Sequence, residues 1–253
     1  MNKNNQKGFT LVEIAIVLVI IGLLLGGILK GQELINGARV RNLADQNSGV
    51  QGAYYGFIDR YRQVPGDMTT ANAIPAIGQT IFNGGDGDGG VDNSLVEAGG
   101  VWEQLAKSNF LSGGFTLPTA AITAETGAGT TIYGNTAPIN AYNAPIILTR
   151  NDGYTGTGGV RLSLHLGKNI PVGIARELDI KIDDGLPNTG VLRLTEPESS
   201  GAIWTVGKAT VFANCTTEAA TVAAGGTAGD GTDATDIYDT FDDAQDCGQV
   251  FLY

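Results

Sequence analysis

The chain has 253 residues, enough for one sizeable domain or a domain plus an anchor, and a formal net charge of −11. With 16% charged residues, 42% hydrophobic residues and 38 glycines, it is neither a basic nucleic-acid binder nor a highly charged disordered chain. Charge is divided unevenly: residues 1–62 carry seven Lys/Arg and four Asp/Glu, whereas residues 63–253 carry eight and 22. A slightly basic stem thus precedes an acidic head, and the head is not expected to attract nucleic acid.

From Ile14 to Leu29 every residue is apolar or Gly, and extension back to Phe9 gives 21 residues with one charge, Glu13. About 20 apolar residues span a bilayer core as a helix. Lys3 and Lys7 precede the run, so the positive-inside rule keeps the N-terminus in the cytoplasm and places the head outside. A signal peptide would end in a small-residue cleavage pattern, and none follows Leu29. A plain anchor explains the length but not Glu13, whose ionised form would cost about 2.5–3.5 kcal/mol at mid-membrane.

Lys7-Gly8-Phe9-Thr10-Leu11-Val12-Glu13 with its following apolar run resembles the class III signal of type IV prepilins and type II secretion pseudopilins. The resemblance implies a cleaved leader, residues 1–8. Prepilin peptidase would cut between Gly8 and Phe9 on the cytoplasmic side and then methylate the new amine of Phe9. Glu13 becomes the fifth residue of the mature chain, about one helical turn from that amine. In an assembling filament the carboxylate can instead meet the amine of a neighbouring subunit. Lipid makes an unpaired carboxylate unfavourable, so docking is rewarded and register is set. A contact with the helix N-terminal dipole can coexist with either arrangement.

Leu34, Ile35, Ala38, Leu43, Val50, Tyr54, Phe57, Ile58 and Tyr61 recur at helical spacing beyond Lys30. One helix is therefore expected from about Phe9 to Arg62, with 9–30 as the transmembrane and assembly half and 31–62 as an amphipathic half. Val64-Pro65-Gly66-Asp67 should end it in a turn. Gly22-x-x-x-Gly26, with Gly27 and Gly31, allows close helix approach in lipid and weakens the helix. Many type IVa pilins have a Pro late in this segment where the present chain has Lys30, so Gly26-Gly27 is the candidate for local melting on assembly.

The head, residues 63–253, reads as short elements between Gly- and Thr-rich turns. Val101–Phe110 is a short helix, and Ala144–Thr149, Val191–Thr195 and Ile203–Phe212 are strands. Residues Val160, Leu162, Leu164 and Leu166 alternate with Arg161, Ser163 and His165 as in a half-buried strand. Residues 172–182 are helical or mixed. The expected architecture is α+β, a long helix packed on an antiparallel sheet, which is also the pilin fold that the resemblance implies.

Nothing resembles an active site, so no enzyme is expected. His165, the only histidine, falls on the polar face of its strand and should face solvent. Gly207-Lys208-Ala209-Thr210 is not a P-loop, because Ala202 takes the place of its first glycine. Asp183-Asp184-Gly185 signals a turn. No cofactor is required, but Asp86, Asp88, Asp92 and Glu97 alternate with glycines in a pattern that could supply oxygens to calcium. An EF-hand register from Asp86 reaches Glu97 at position 12 but places Val91 where Gly belongs. A solvated turn is the plainer alternative.

Cys215 and Cys247 bracket an Ala/Thr/Gly-rich and Asp-rich stretch that would be floppy without a clamp. In an exported head they should form a disulfide. That bridge resembles the disulfide-bounded C-terminal loop of type IV pilins, which pseudopilins often lack.

The sequence therefore reads as a prepilin, a structural subunit of a type IV pilus or pilus-like filament. As a precursor it would sit in the bacterial inner membrane with a periplasmic head, and afterwards in a filament. Its expected partners are prepilin peptidase, copies of itself or other pilins, and an assembly platform. A type II secretion pseudopilin is the nearest alternative. A membrane-tethered module binding calcium or another ligand is an alternative of a different class, and it gives no reason for Glu13.

Overall fold

A computed structural model describes residues 11–82, 84–92, 94–115, 136–156, 158–167, 169–195, 215–218, 236–240, 244–245 and 247–253. The strand expected at 203–212 lies outside these. The chain divides into two compact units, residues 1–39 and 40–253.

Helix α1, Leu11–Tyr61, is unbroken through Gly26-Gly27. In the first unit its apolar residues are exposed on the isolated chain, and the helix is long and apolar enough to cross a membrane. In the second unit Val40, Leu43, Val50, Ala53, Tyr54 and Phe57 are buried at helical spacing, with Ile58 and Tyr61 packed beside them. The amphipathic face thus begins at Val40. Leu34 and Ile35, expected to belong to it, are 66% and 55% exposed. Gly56 lets the Phe110 ring lie against the helix, since a Cβ there would come within 2.8 Å of it.

Arg62 adopts a left-handed conformation (φ 56°) and ends α1, and Gly66 (φ 93°) turns the chain after Pro65. Helix α2, Thr70–Ile77, stops at left-handed Gly78. Helix α3, Leu95–Lys107, begins earlier than the helix expected at 101–110, because Ser94 caps it by accepting the Glu97 amide at 3.2 Å. Left-handed Asn109 closes its far end.

The sheet comprises β1 (Ile147–Asn151), β2 (Arg161–His165), β3 (Leu192–Leu194) and β6 (Gln249–Leu252), in the order β1-β2-β6-β3 and antiparallel throughout. The last strand is therefore interior, and all four of its residues are buried. Both outer edges are covered: the Arg150 amide donates to the Val91 carbonyl at 2.8 Å, and the Thr155 amide to the Leu194 carbonyl at 3.0 Å. Helix α4, Val172–Ile182, matches the helical reading of that stretch. Strands β4 (Thr216–Glu218) and β5 (Asp236–Tyr238) form a separate antiparallel pair. The core joins Phe57, Trp102, Leu105, Leu148, Leu164, Leu178 and Leu192. The α+β class is that expected.

His165 is not solvent-facing: it is 6% exposed, and Ser163 and Leu164 beside it are fully buried. Period-two alternation assumes one wet face, whereas the inner end of β2 is covered on both. The polar residues there satisfy one another, with His165 Nε2 within 3.0 Å of Asn151 Nδ2 and 3.2 Å of Ser163 Oγ.

Candidate functional site

The N-terminal site is built from local sequence. Gly8 and Phe9 lie outside the described residues. Glu13 lies in the first described turn of α1. Apolar residues surround it in sequence and are exposed, so the carboxylate sits at the head of a surface suited to lipid or to other apolar helices.

The acidic loop is organised by a residue that sequence reading did not single out, Asp67. It is 4% exposed. Its Oδ1 accepts the amides of Gly87 at 2.8 Å and Asp88 at 3.0 Å, and its Oδ2 that of Gly89 at 3.0 Å. Glu97, 5% exposed, accepts the Asp86 amide through Oε1 at 3.2 Å and the Asp92 amide through Oε2 at 2.6 Å. Two buried carboxylates thus pin the loop, with one oxygen of each within 4.8 Å of the other. Burial raises the Glu97 carboxyl above its ordinary range, the two amides pulling the other way.

Glycine makes this closeness attainable. A Cβ at Gly84 would come within 2.2 Å of the Thr70 nitrogen, and one at Gly85 within 2.5 Å of the Asp67 Cα. Gly87 and Gly89 take left-handed φ values of 84° and 98°. Asp86 and Asp88 each fold back to accept the amide two residues on, at 3.0 and 2.9 Å.

Of the four residues that the sequence offers to calcium, the fold gathers three. Asp86, Asp88 and Asp92 are exposed, with one carboxylate oxygen apiece within 4.8 Å of the others. Glu97 converges instead with Asp67 and Asp86. The arrangement is not an EF-hand, because the Asp67 carboxylate takes the amides at the centre of the loop. The only signal for Asp67 in the sequence was its place after Pro65-Gly66, a turn that leaves a short acceptor next to the helix end.

The two cysteines are bonded to each other, 5.9 Å apart at Cα, and both are buried. The bridge ties the residue before β4 to the residue that pairs with Ile170 ahead of β6.

Residues 3–29 match the family model of the prokaryotic N-terminal methylation motif. The chain therefore carries a prepilin-type cleavage and methylation signal, and that signal contains Gly8, Phe9 and Glu13. No curated protein and no solved structure matches the chain.

Proposed function

We propose that this protein is a structural prepilin: cut after Gly8, methylated on Phe9, and polymerised through α1 into a type IV pilus or pilus-like filament. The observation that carries the reading is the methylation motif over residues 3–29, with Glu13 set five residues into the mature chain and followed by an apolar helix. Cleavage would leave an amine that Glu13 can pair with, in its own subunit or across to the next. The chain is then the substrate of prepilin peptidase and has no catalysis of its own to perform. Its precursor would reside in the inner membrane, and its partners would be further pilins and an assembly platform.

The Cys215–Cys247 bridge favours a pilus subunit over a type II secretion pseudopilin, which is the second reading. The convergence of Asp86, Asp88 and Asp92 favours a tethered cation-binding module only if the motif is not processed. The test is intact mass and N-terminal sequencing from cells with and without prepilin peptidase. Loss of residues 1–8 with one methyl on Phe9, only when the peptidase is present, is expected. An uncut N-terminus in both strains would reject the filament-subunit reading. Imaging of sheared filaments then separates pilus from secretion apparatus.

A further inference from the structure

Asp179 lies on the inner face of α4 and is fully buried. Its Oδ2 accepts the Tyr238 hydroxyl at 2.8 Å, and its Oδ1 the Gly185 amide at a long 3.3 Å. The Tyr238 oxygen also receives Gln249 Nε2 at 3.2 Å, and that nitrogen donates to the Ala175 carbonyl at 2.8 Å. One carboxylate therefore links α4, the turn that follows it, and β5 inside the disulfide-bounded segment.

Among the described residues, the charges that act on it most strongly are those of Asp184 and Asp183, both acidic. On α4 itself Arg176 is exposed and Lys181 is paired with Glu177 at 2.6 Å. The following turn adds Asp183 and Asp184, and one oxygen from each lies within 4.8 Å of the other and of Asp179. Strand β5 brings Asp236 and Tyr238, and β6 brings neutral Gln249. Strand β3 brings Arg193, whose guanidinium is directed to the Tyr154 ring and the Thr155 and Gly190 carbonyls. None of the ion pairs among the described residues includes Asp179.

A buried carboxyl facing two other carboxylates holds its proton well above the usual range. Burial is the main cause here and pushes Asp179 up to about 7. The Tyr238 and Gly185 hydrogen bonds oppose it, while Asp184 and Asp183 add to it. The weak Gly185 contact lets Oδ1 carry the proton while Oδ2 keeps the Tyr238 hydroxyl.

We propose that Asp179 is a proton-operated latch: protonated, it holds the β4–β5 pair of the disulfide-bounded segment against α4, and ionised, it loosens that pair. The sign follows from linkage. Docking removes the carboxyl from water and raises its pKa, so the docked state binds the proton more tightly. Docking is firmest below the ordinary carboxylate range and weakens as pH rises through about 7.

The test is hydrogen exchange of the full chain in detergent micelles with a chelator present. Peptides covering 215–218 and 236–240 are followed from roughly pH 5 to pH 8, corrected for intrinsic rates, against β2 as a reference. Their protection is expected to fall about tenfold or more, with β2 unchanged and the slope abolished in Asp179→Asn. Wild-type protection constant to within about twofold, or an Asp179→Asn chain that keeps the slope, would overturn the proposal. Should Asp179→Asn fail to fold, the carboxyl carbon of Asp179 can be titrated by NMR in the wild type. A midpoint above roughly pH 6 supports the latch, and a lower one overturns it.

Discussion

Glu13 and Asp67 are both carboxylates in surroundings that do not favour free charge. Asp67 is satisfied inside its own fold, by three amides of the loop it anchors. Glu13 lies in the first described turn of a helix whose flank is exposed and apolar, a surface suited to lipid or to a second helix. Removal of its charge should ease membrane insertion rather than harm it, because an ionised carboxylate costs about 2.5–3.5 kcal/mol deep in the membrane. Glu13→Val is therefore expected to accumulate in the membrane at wild-type levels and to yield few or no filaments. Immunoblots of membrane and sheared fractions measure both. Wild-type filament yield from this variant would remove Glu13 from the assembly mechanism.

At the scale of elements, loop 84–92 shows where sequence reading succeeds and where it stops. The alternating Asp and Gly announced a loop of carboxylates, and Asp86, Asp88 and Asp92 do converge. The carboxylate at its centre is contributed by Asp67, distant in sequence, so no local spacing could find it. Calcium prefers six to eight oxygens, and this group offers three carboxylates open to solvent. A bound ion would link them and stiffen the loop on Asp67. Addition of about 5 mM calcium is then expected to raise the melting temperature of wild type and not of Asp86→Asn/Asp88→Asn, because a ligand that binds only the folded state stabilises it. Identical melting with calcium and with a chelator would mean a solvated turn.

The same contrast runs through the other elements. Helix α1 was legible because its apolar period persists over many residues, whereas the shorter stretch 172–182 read only as helical or mixed and proves to be helix α4. The start of α3 was missed although Ser94-Leu95-Val96-Glu97 has the form of a capping box; here Glu97 reaches the amides of Asp86 and Asp92 rather than that of Ser94. His165 was misplaced because alternation cannot report that a second face is covered. Asp179 interrupts the apolar face of α4 with only the long Gly185 contact nearby in sequence, and Tyr238, its closer partner, is 59 residues away.

At the scale of the whole molecule, the chain from Val40 onward must hold its C-terminal segment with few apolar residues. That segment, 216–246, is rich in Ala, Thr, Gly and Asp, so it has little to bury against the entropy of ordering it. Among its ties within the described residues are the β4–β5 ladder, the Tyr238 hydrogen bonds to Asp179 and Gln249, the Val172 amide donating to the Ala244 carbonyl at 3.0 Å, and the covalent bridge. The bridge closes a loop of sequence separation 32, for which the chain-entropy relation gives about 3–4 kcal/mol. The strand after it, β6, lies between β2 and β3, so the bridge also braces the entry to the centre of the sheet. Cys215→Ser/Cys247→Ser is therefore expected to lower the stability of the oxidised head by about 3–4 kcal/mol in urea unfolding. A loss below about 1 kcal/mol would mean that hydrogen bonds and packing already fix the segment, leaving the disulfide little to restrain in the unfolded chain. The larger loss would make oxidation a main support of the head's stability, one that the proposed filament subunit would gain only on export.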